Sequence, residues 1–172
     1  MSDFEILIPE DKVKARIREL ADTISEKYKG QSVVLLGILN GSVFFLTELA
    51  QHISIPVEID FMAASSYLGT DSTGKVLITK DLSRSIEGRN VLIVEDIIDT
   101  GQTLHLLRKL LLKKSPASLE IVALLDKPSR RKVSIEADYL GFSIPDKFVI
   151  GWGLDYNQRY RELPYIGIYK EN

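Results

Sequence analysis

Three acidic residues and a glycine lie close together in the middle of the chain, at the end of an aliphatic run. The acids are Glu95, Asp96 and Asp99, and they follow the run over residues 91–94. Gly101 comes just after them, directly before a pattern typical of a helix. Carboxylates can bind a divalent cation or act as general bases, and a glycine at a helix start lets a phosphate approach free backbone N–H groups. The spacing therefore predicts an anion site beside carboxylates at the end of a strand.

The same residues also allow simpler interpretations. Asp99 or Thr100 would then only cap the helix, which is a common role for both residue types. Glu95 and Asp96 would face solvent as ordinary surface acids. Residues 99–101 also match the catalytic tripeptide of aspartic proteases, but a leucine-rich helix directly after the tripeptide does not fit the all-β fold of those enzymes.

The composition limits the available chemistry. The chain has 172 residues, of which 45% are hydrophobic and 27% charged, and this favours one globular domain over residues 1–172. It has no cysteine and two histidines, so catalysis should depend on carboxylates, lysines and arginines, and a metal should be a hard one such as magnesium. The formal net charge of -2 provides no overall positive field for nucleic acid. No apolar run is long enough to cross a membrane, so we expect a cytoplasmic protein with no nucleic-acid or membrane partner.

Apolar periodicity predicts an α/β fold with a mainly parallel twisted sheet flanked by helices. Spacings of three and four predict helices over residues 13–28 and 44–53, and a leucine-rich helix around residues 104–111 with Lys113 and Lys114 in its last turn. Short β-rich runs predict strands at residues 33–36, 57–62, 76–79, 91–94, 119–125, 139–142, 148–150 and 165–169. The polar, glycine-rich residues 65–74 predict a long loop, either a lid or a disordered hairpin tip.

Residues 91–103 resemble the phosphoribosyl pyrophosphate signature of the type I phosphoribosyltransferases, which is a hydrophobic strand, two acids, two aliphatics and Asp-Thr-Gly-x-Thr. Lys127, residues 144–151 and residues 155–161 are similar to the purine-binding half of the hypoxanthine-guanine enzymes in that family. The resemblance implies a single domain of that fold with a small hood and a mobile lid loop. It also implies transfer of 5-phosphoribosyl from phosphoribosyl pyrophosphate to hypoxanthine and guanine, with magnesium as cofactor, in a homodimer or homotetramer.

The resemblance assigns roles around the acidic cluster. Glu95 and Asp96 would bind the ribose hydroxyls and a magnesium ion, and Asp99 would be the general base at purine N7. Asp155 would bind a second magnesium ion. The 5'-phosphate would be held at the helix start, by Asp99, Thr100, Gly101, Gln102 and Thr103.

A second anion-binding segment follows the first core strand. Leu39, Asn40 and Gly41 match the pyrophosphate loop of the family, which often contains an unusual cis peptide. Asn40 replaces a frequent lysine, so more of the charge neutralisation should fall on magnesium and Arg161. The residues alone also allow a plain Asn-Gly turn.

The purine would be recognised by residues from three segments. Lys127 would donate to the 6-oxygen and thereby select against adenine, Phe148 would stack on the ring, and the backbone of Val149 would contact its edge. The residues alone also allow Lys127 to be part of a solvated basic run and Phe148 to be a core aromatic. Ser66 and Tyr67 would lie at the tip of a lid that excludes water from the reaction.

Two rival functions stay open from the sequence. A non-catalytic regulator of the same fold would sense phosphoribosyl pyrophosphate and bind nucleic acid, but the net charge of -2 and the apparently complete base-binding half count against it. A transferase for a different base is less compatible with Lys127 and Phe148.

Overall fold

The computed structural model describes residues 4–66 and 75–170. Three α-helices and nine strands lie in this part of the chain. The helices are α1 (Glu10–Lys27), α2 (Val43–His52) and α3 (Gln102–Leu112). The strands are β1 (Phe4–Ile8), β2 (Val33–Ile38), β3 (Val57–Ser66), β4 (Val76–Lys80), β5 (Asn90–Ile98), β6 (Ser118–Asp126), β7 (Tyr139–Ser143), β8 (Val149–Ile150) and β9 (Ile166–Tyr169).

Six strands form the main sheet, in the order β4-β3-β2-β5-β6-β7. Each neighbouring pair is parallel except β3 with β4, which is antiparallel. The order places β2 and β5 side by side in the centre, and crossover helices connect the parallel strands. The predicted α/β fold with a mainly parallel sheet is confirmed.

A second, antiparallel sheet contains β1, β9 and β8 in that order. It corresponds to the hood that the family resemblance implies. The sequence analysis missed β1, which pairs with β9 from Phe4↔Tyr169 to Ile8↔Ile166. Only Ile8 of β1 is buried, and its apolar run of residues 6–8 is too short to identify a buried strand.

The helices cover both faces of the main sheet. Alternate residues of β2 point to opposite faces, so Leu35 packs with the apolar side of α1 and α2 while Leu36 packs with α3. The apolar stripe of α1 recurs every three or four residues and is buried at Val13, Ile17, Leu20, Ala21 and Ile24. The central strands are therefore buried on both sides, and their carboxyl ends are left for ligands.

Two of the predicted boundaries in these elements are wrong. β3 continues to Ser66 because it pairs with β4 as far as Ser66↔Val76, so the predicted loop does not begin at residue 65. The helix α3 ends at Leu112, which places Lys113 and Lys114 beyond its last turn. Residues 67–74, including Tyr67, lie outside the described part of the chain. Within the described ranges, no helix is long and apolar enough to cross a membrane.

Candidate active site

The carboxyl end of β5 extends beyond its neighbour β2. Pairing between these strands stops at Gly37↔Val94, whereas β5 stays paired with β6 through Ile98↔Asp126. The strand predicted to end at residue 94 therefore continues through both acids, because β6 still supplies a hydrogen-bonding partner on one side. The side that β2 no longer covers is open to the turn at residues 39–41 and to ligands.

Glu95 and Asp96 occupy this extension, and both are partly buried. Asp96 lies on the side of Gly41, and the N–H of Ile97 donates to its Oδ1 at 2.7 Å. Burial raises the pKa of both carboxyl groups, and the negative charge of Asp96 raises the pKa of Glu95 further. Neither acid is the freely solvated surface group that the simpler interpretation predicted.

The turn after β2 contacts the carboxylate of Asp96 directly. The Leu39–Asn40 peptide bond is cis, as the family resemblance implies. A methyl group added at Gly41 would lie 1.7 Å from Asp96 Oδ2, and one added at Gly153 would lie 1.8 Å from the carbonyl oxygen of Gly41. The three segments that contain Gly41, Asp96 and Gly153 thus meet at one point. The sequence analysis missed Gly153, whose only visible signal was a position next to a tryptophan.

We expect Gly41→Ala to lower kcat/KM for the phosphorylated substrate about 100-fold, because the new methyl must displace Asp96 or the turn by an ångström or more. Steady-state kinetics with each substrate varied in turn would measure the loss. Gly167→Ala is a suitable control, since its added methyl would have ordinary contacts, the nearest atom lying 3.4 Å away. Equal activity of both variants and the wild type would show that the close contact at Gly41 is not needed.

The phosphate loop, defined here as residues 99–103, leads from β5 into α3. Gly101 is the N-cap residue with φ 79°, and no side chain caps this helix end. The capping interpretation of Asp99 is therefore wrong, while Thr100 accepts only a long contact of 3.4 Å from the N–H of Gln102. The first N–H groups of α3, including those of Gln102 and Thr103, have no helical acceptor and are available to an anion.

Asp99 stands at the entrance to this loop. Its side chain is 43% exposed, and Arg130 Nε donates to Oδ1 at 3.1 Å. The same guanidinium reaches Asp146 Oδ2 at 3.8 Å. One carboxylate oxygen of Asp99 is thus anchored by an arginine, and Oδ2 has no hydrogen bond within the described residues.

Lys127 follows β6 and is 7% exposed, in contrast to Arg130 and Lys132, which are exposed. Its N–H donates to the carbonyl oxygen of Ile98 at 2.9 Å, so its backbone is fixed to the end of β5. Within the described ranges, its ammonium group has neither a hydrogen bond nor an ion pair. The solvated-run interpretation of Lys127 is wrong, and a buried lysine with free donor capacity is suited to binding a ligand acceptor.

Phe148 is 51% exposed, so its interpretation as a core aromatic is wrong. The ring contacts Tyr156 edge-on, with centroids 5.8 Å apart, and Tyr156 stacks on Tyr169 at 4.3 Å. Next to it, Val149 pairs with Ile168 at the edge of the small sheet. The N–H of Tyr169 bonds the carbonyl of Phe148, so by the alternation of an antiparallel ladder the N–H and C=O of Val149 point away from β9. The ring of Phe148 therefore lies next to the backbone groups of Val149 that point away from β9.

Asp155 and Arg161 connect the hood region to the acids on β5. Arg161 Nη1 lies 3.2 Å from Asp155 Oδ1 and donates to the carbonyl of Gly153 at 2.6 Å. The positive charge of Arg161 partly offsets the burial that raises the pKa of Asp96, and Asp155 acts in the opposite direction. Asp96, Asp155 and Arg161 therefore share one electrostatic environment.

The carboxylate oxygens of this region suit a hard cation that is also coordinated by the substrate. In residues 4–66 and 75–170, no group of three or more His, Cys, Asp or Glu side chains is arranged to hold a metal by itself. Magnesium commonly uses one or two protein carboxylates and takes its other oxygens from phosphates and water. The partly buried carboxylates of Glu95, Asp96 and Asp155, which the sequence predicts as metal ligands, fit this description.

Comparison with known proteins gives a consistent result. The phosphoribosyl transferase domain family matches residues 7–159. The hypoxanthine phosphoribosyltransferase of Salmonella typhimurium is 53% identical over 95% of this chain and 93% of its own. The hypoxanthine-guanine phosphoribosyltransferase of Streptococcus pneumoniae is 48% identical over 97% and 93%. A crystal structure of the Staphylococcus aureus hypoxanthine phosphoribosyltransferase is similar at a TM-score of 0.94, with 50% identity over 98% of this chain and 92% of that one.

Proposed function

Because this chain belongs to the phosphoribosyltransferase family, we propose that the carboxyl edge of β5 and β6 is its active site. The chain is a purine salvage enzyme and a pentosyltransferase. It transfers 5-phosphoribosyl from phosphoribosyl pyrophosphate to hypoxanthine, giving inosine monophosphate and pyrophosphate. We propose guanine as a second substrate, since it has the same 6-oxygen.

At the phosphate end, the first N–H groups of α3 bind the 5'-phosphate, and the hydroxyls of Thr100 and Thr103 add donors. Glu95 and Asp96 bind the ribose hydroxyls. The backbone of residues 39–41 and the guanidinium of Arg161 bind the pyrophosphate, whose negative charge grows as it leaves. Glu95, Asp96 and Asp155 would hold magnesium together with substrate oxygens, and the metal would neutralise charge on the pyrophosphate.

At the base end, the observation that carries the proposal is the buried side chain of Lys127, whose ammonium group has no partner within the described residues. It lies at the end of β6, adjacent to the β5 residues that lead into the phosphate loop. There it donates to the purine 6-oxygen, which adenine lacks. Phe148 stacks on the base, the free backbone groups of Val149 contact its edge, and Asp99 Oδ2 accepts the proton from N7.

The stoichiometry of the reaction tests this function. The protein, supplied with magnesium, phosphoribosyl pyrophosphate and labelled hypoxanthine, should form inosine monophosphate and pyrophosphate in equal amounts. No turnover, together with salt-dependent binding of nucleic acid, would instead support the non-catalytic regulator.

We predict that Lys127→Ala weakens transition-state binding by about 1.5 to 3 kcal/mol, measured as a fall in kcat/KM for hypoxanthine, because it removes a charged donor to the 6-oxygen. The KM for phosphoribosyl pyrophosphate should change little, since that substrate binds at the phosphate loop. Lys132→Ala, which truncates an exposed lysine of the same segment, should act within about 0.5 kcal/mol on both substrates. Equal small effects of both variants would remove Lys127 from base recognition.

The oligomeric state and the cellular location are also part of the proposal. We propose a homodimer or homotetramer with twofold symmetry, supported by exposed apolar side chains on neighbouring strands, Ile59 of β3 and Leu77 of β4. Sedimentation should give a mass well above the 19.4 kDa of one chain, and a species of 19.4 kDa would contradict the proposal. A cytoplasmic location, one domain over residues 1–172, and a lid formed from Ser66 and Tyr67 remain predictions.

A further inference from the structure

Arg131 connects two parts of the proposed active site, the phosphate loop and the end of β6. Its side chain is 16% exposed, and its guanidinium has two different partners. Nη1 donates to the carbonyl oxygen of Asp99 at 2.6 Å, and Nη2 binds Asp126 Oδ1. The arginine therefore bonds the main chain of the phosphate loop, while its other arm is held by a carboxylate on β6.

The segment around Arg131 also packs against the rest of the loop. The N–H of Lys132 donates to the carbonyl of Thr100 at 3.0 Å. A methyl group added at Gly101 would lie 2.5 Å from Ile135 Cγ2 and 3.1 Å from Arg131 Cδ. The carbonyls of residues 99 and 100 are thus both bonded by this segment, which leaves the loop little freedom to move away from it.

Asp126 provides the fixed end of the connection. It is 15% exposed, pairs with Ile98 across the β5–β6 ladder and precedes Lys127 directly. A planar guanidinium can bond a carboxylate and a carbonyl simultaneously in fixed directions, whereas the single ammonium of a lysine cannot reproduce that geometry. The Asp126–Arg131 pair therefore links the phosphate loop to the strand end that carries Lys127.

We propose that Arg131, held by Asp126, is a positioning residue that fixes the main chain of the phosphate loop for binding of phosphoribosyl pyrophosphate. The inference depends on the proposed function, because the loop is the 5'-phosphate site only if the chain is a phosphoribosyltransferase. The pair acts through Asp99 and Thr100 and does not touch the substrate. Its removal should affect the phosphorylated substrate far more than the base.

Two conservative variants test the proposal. Arg131→Lys keeps the charge but loses the planar fork, and Asp126→Asn keeps the shape but loses the charge. Each should raise the KM for phosphoribosyl pyrophosphate about tenfold or more, as loss of a group that orients a binding residue commonly does. The KM for hypoxanthine should change less than about threefold, and the double variant should be little worse than the worse single one, since the two residues act as a unit.

Arg108→Lys is the matched control, because it makes the same chemical change at an exposed position of α3 and should leave both KM values unchanged. If the pair only stabilised the fold, both variants would have a lower melting temperature and a lower kcat, while the two KM values kept their original ratio. That result would overturn the proposal. If Arg131→Lys does not fold, the ratio of the two KM values in Asp126→Asn tests the proposal instead. An inactive wild type would refute the proposed function itself, whereas an active wild type with an unchanged ratio in Asp126→Asn would refute only the role of the pair.

Discussion

Asp99→Asn should lower kcat about 100-fold or more, because it removes the carboxylate that we propose as the acceptor of the proton from purine N7. Asparagine keeps the size of the side chain, and its carbonyl oxygen can still accept the hydrogen bond from Arg130 Nε. The geometry of the phosphate loop should therefore survive. The KM for phosphoribosyl pyrophosphate should stay within about threefold of the wild-type value, which rapid-quench and steady-state kinetics would measure.

Asp146→Asn is the matched control for this variant. Asp146 is the second carboxylate beside Arg130, at 3.8 Å, and it is more than half exposed. The same loss of one negative charge there should change kcat less than about twofold, as expected for a surface ion pair. If kcat fell equally in both variants, the cause would be the loss of a negative charge beside Arg130, and Asp99 would not be the general base.

Removal of divalent cations should abolish turnover, with a loss of at least about 1,000-fold, since the leaving pyrophosphate would lack its main source of positive charge. The protein supplies few cations at this end. Asn40 takes the position of a frequent lysine, and Arg161 is already paired with Asp155 at 3.2 Å. Assays in chelator, followed by addition of magnesium or manganese, would measure the loss and its recovery.

The cation should act on the reaction and not on the fold. Because the described residues contain no preformed set of three metal ligands, chelation should leave the melting temperature of the free protein unchanged. Full turnover in metal-free buffer would contradict the assignment of Asp96 and Asp155. Loss of the fold on chelation would point to a structural metal instead.

Much of the architecture could be predicted because the buried elements have strong periodicity. The stripe of α1 and the all-buried strand β2 follow directly from side-chain spacing. The end of β5 could not be predicted in this way, since the pattern changes from apolar to acidic at Glu95 while the strand continues. What keeps residues 95–98 extended is pairing with β6, a long-range contact that no local pattern encodes.

The functional site could likewise be predicted only in part. Motif order predicted roles for Asp99, Lys127 and Phe148, whereas the residues alone also allowed a purely structural role for each. Burial excluded the structural alternative for two of them, in opposite ways. Lys127 is buried where a charged run suggested solvent, and Phe148 is exposed where an aromatic suggested core. Arg131 was missed because its role depends on contacts with Asp126 and with a main-chain carbonyl, which neither spacing nor residue type reveals.

The most direct test of the account is the turnover of a panel of six bases, assayed as pyrophosphate release from phosphoribosyl pyrophosphate in the presence of magnesium. The panel should contain hypoxanthine, guanine, xanthine, adenine, uracil and orotate at matched concentrations. The account predicts that hypoxanthine is a good substrate, that guanine is used, and that adenine is poor by at least about 100-fold in kcat/KM, because its amino group cannot accept a hydrogen bond from Lys127. Efficient turnover of adenine or of a pyrimidine, with hypoxanthine inactive, would contradict it.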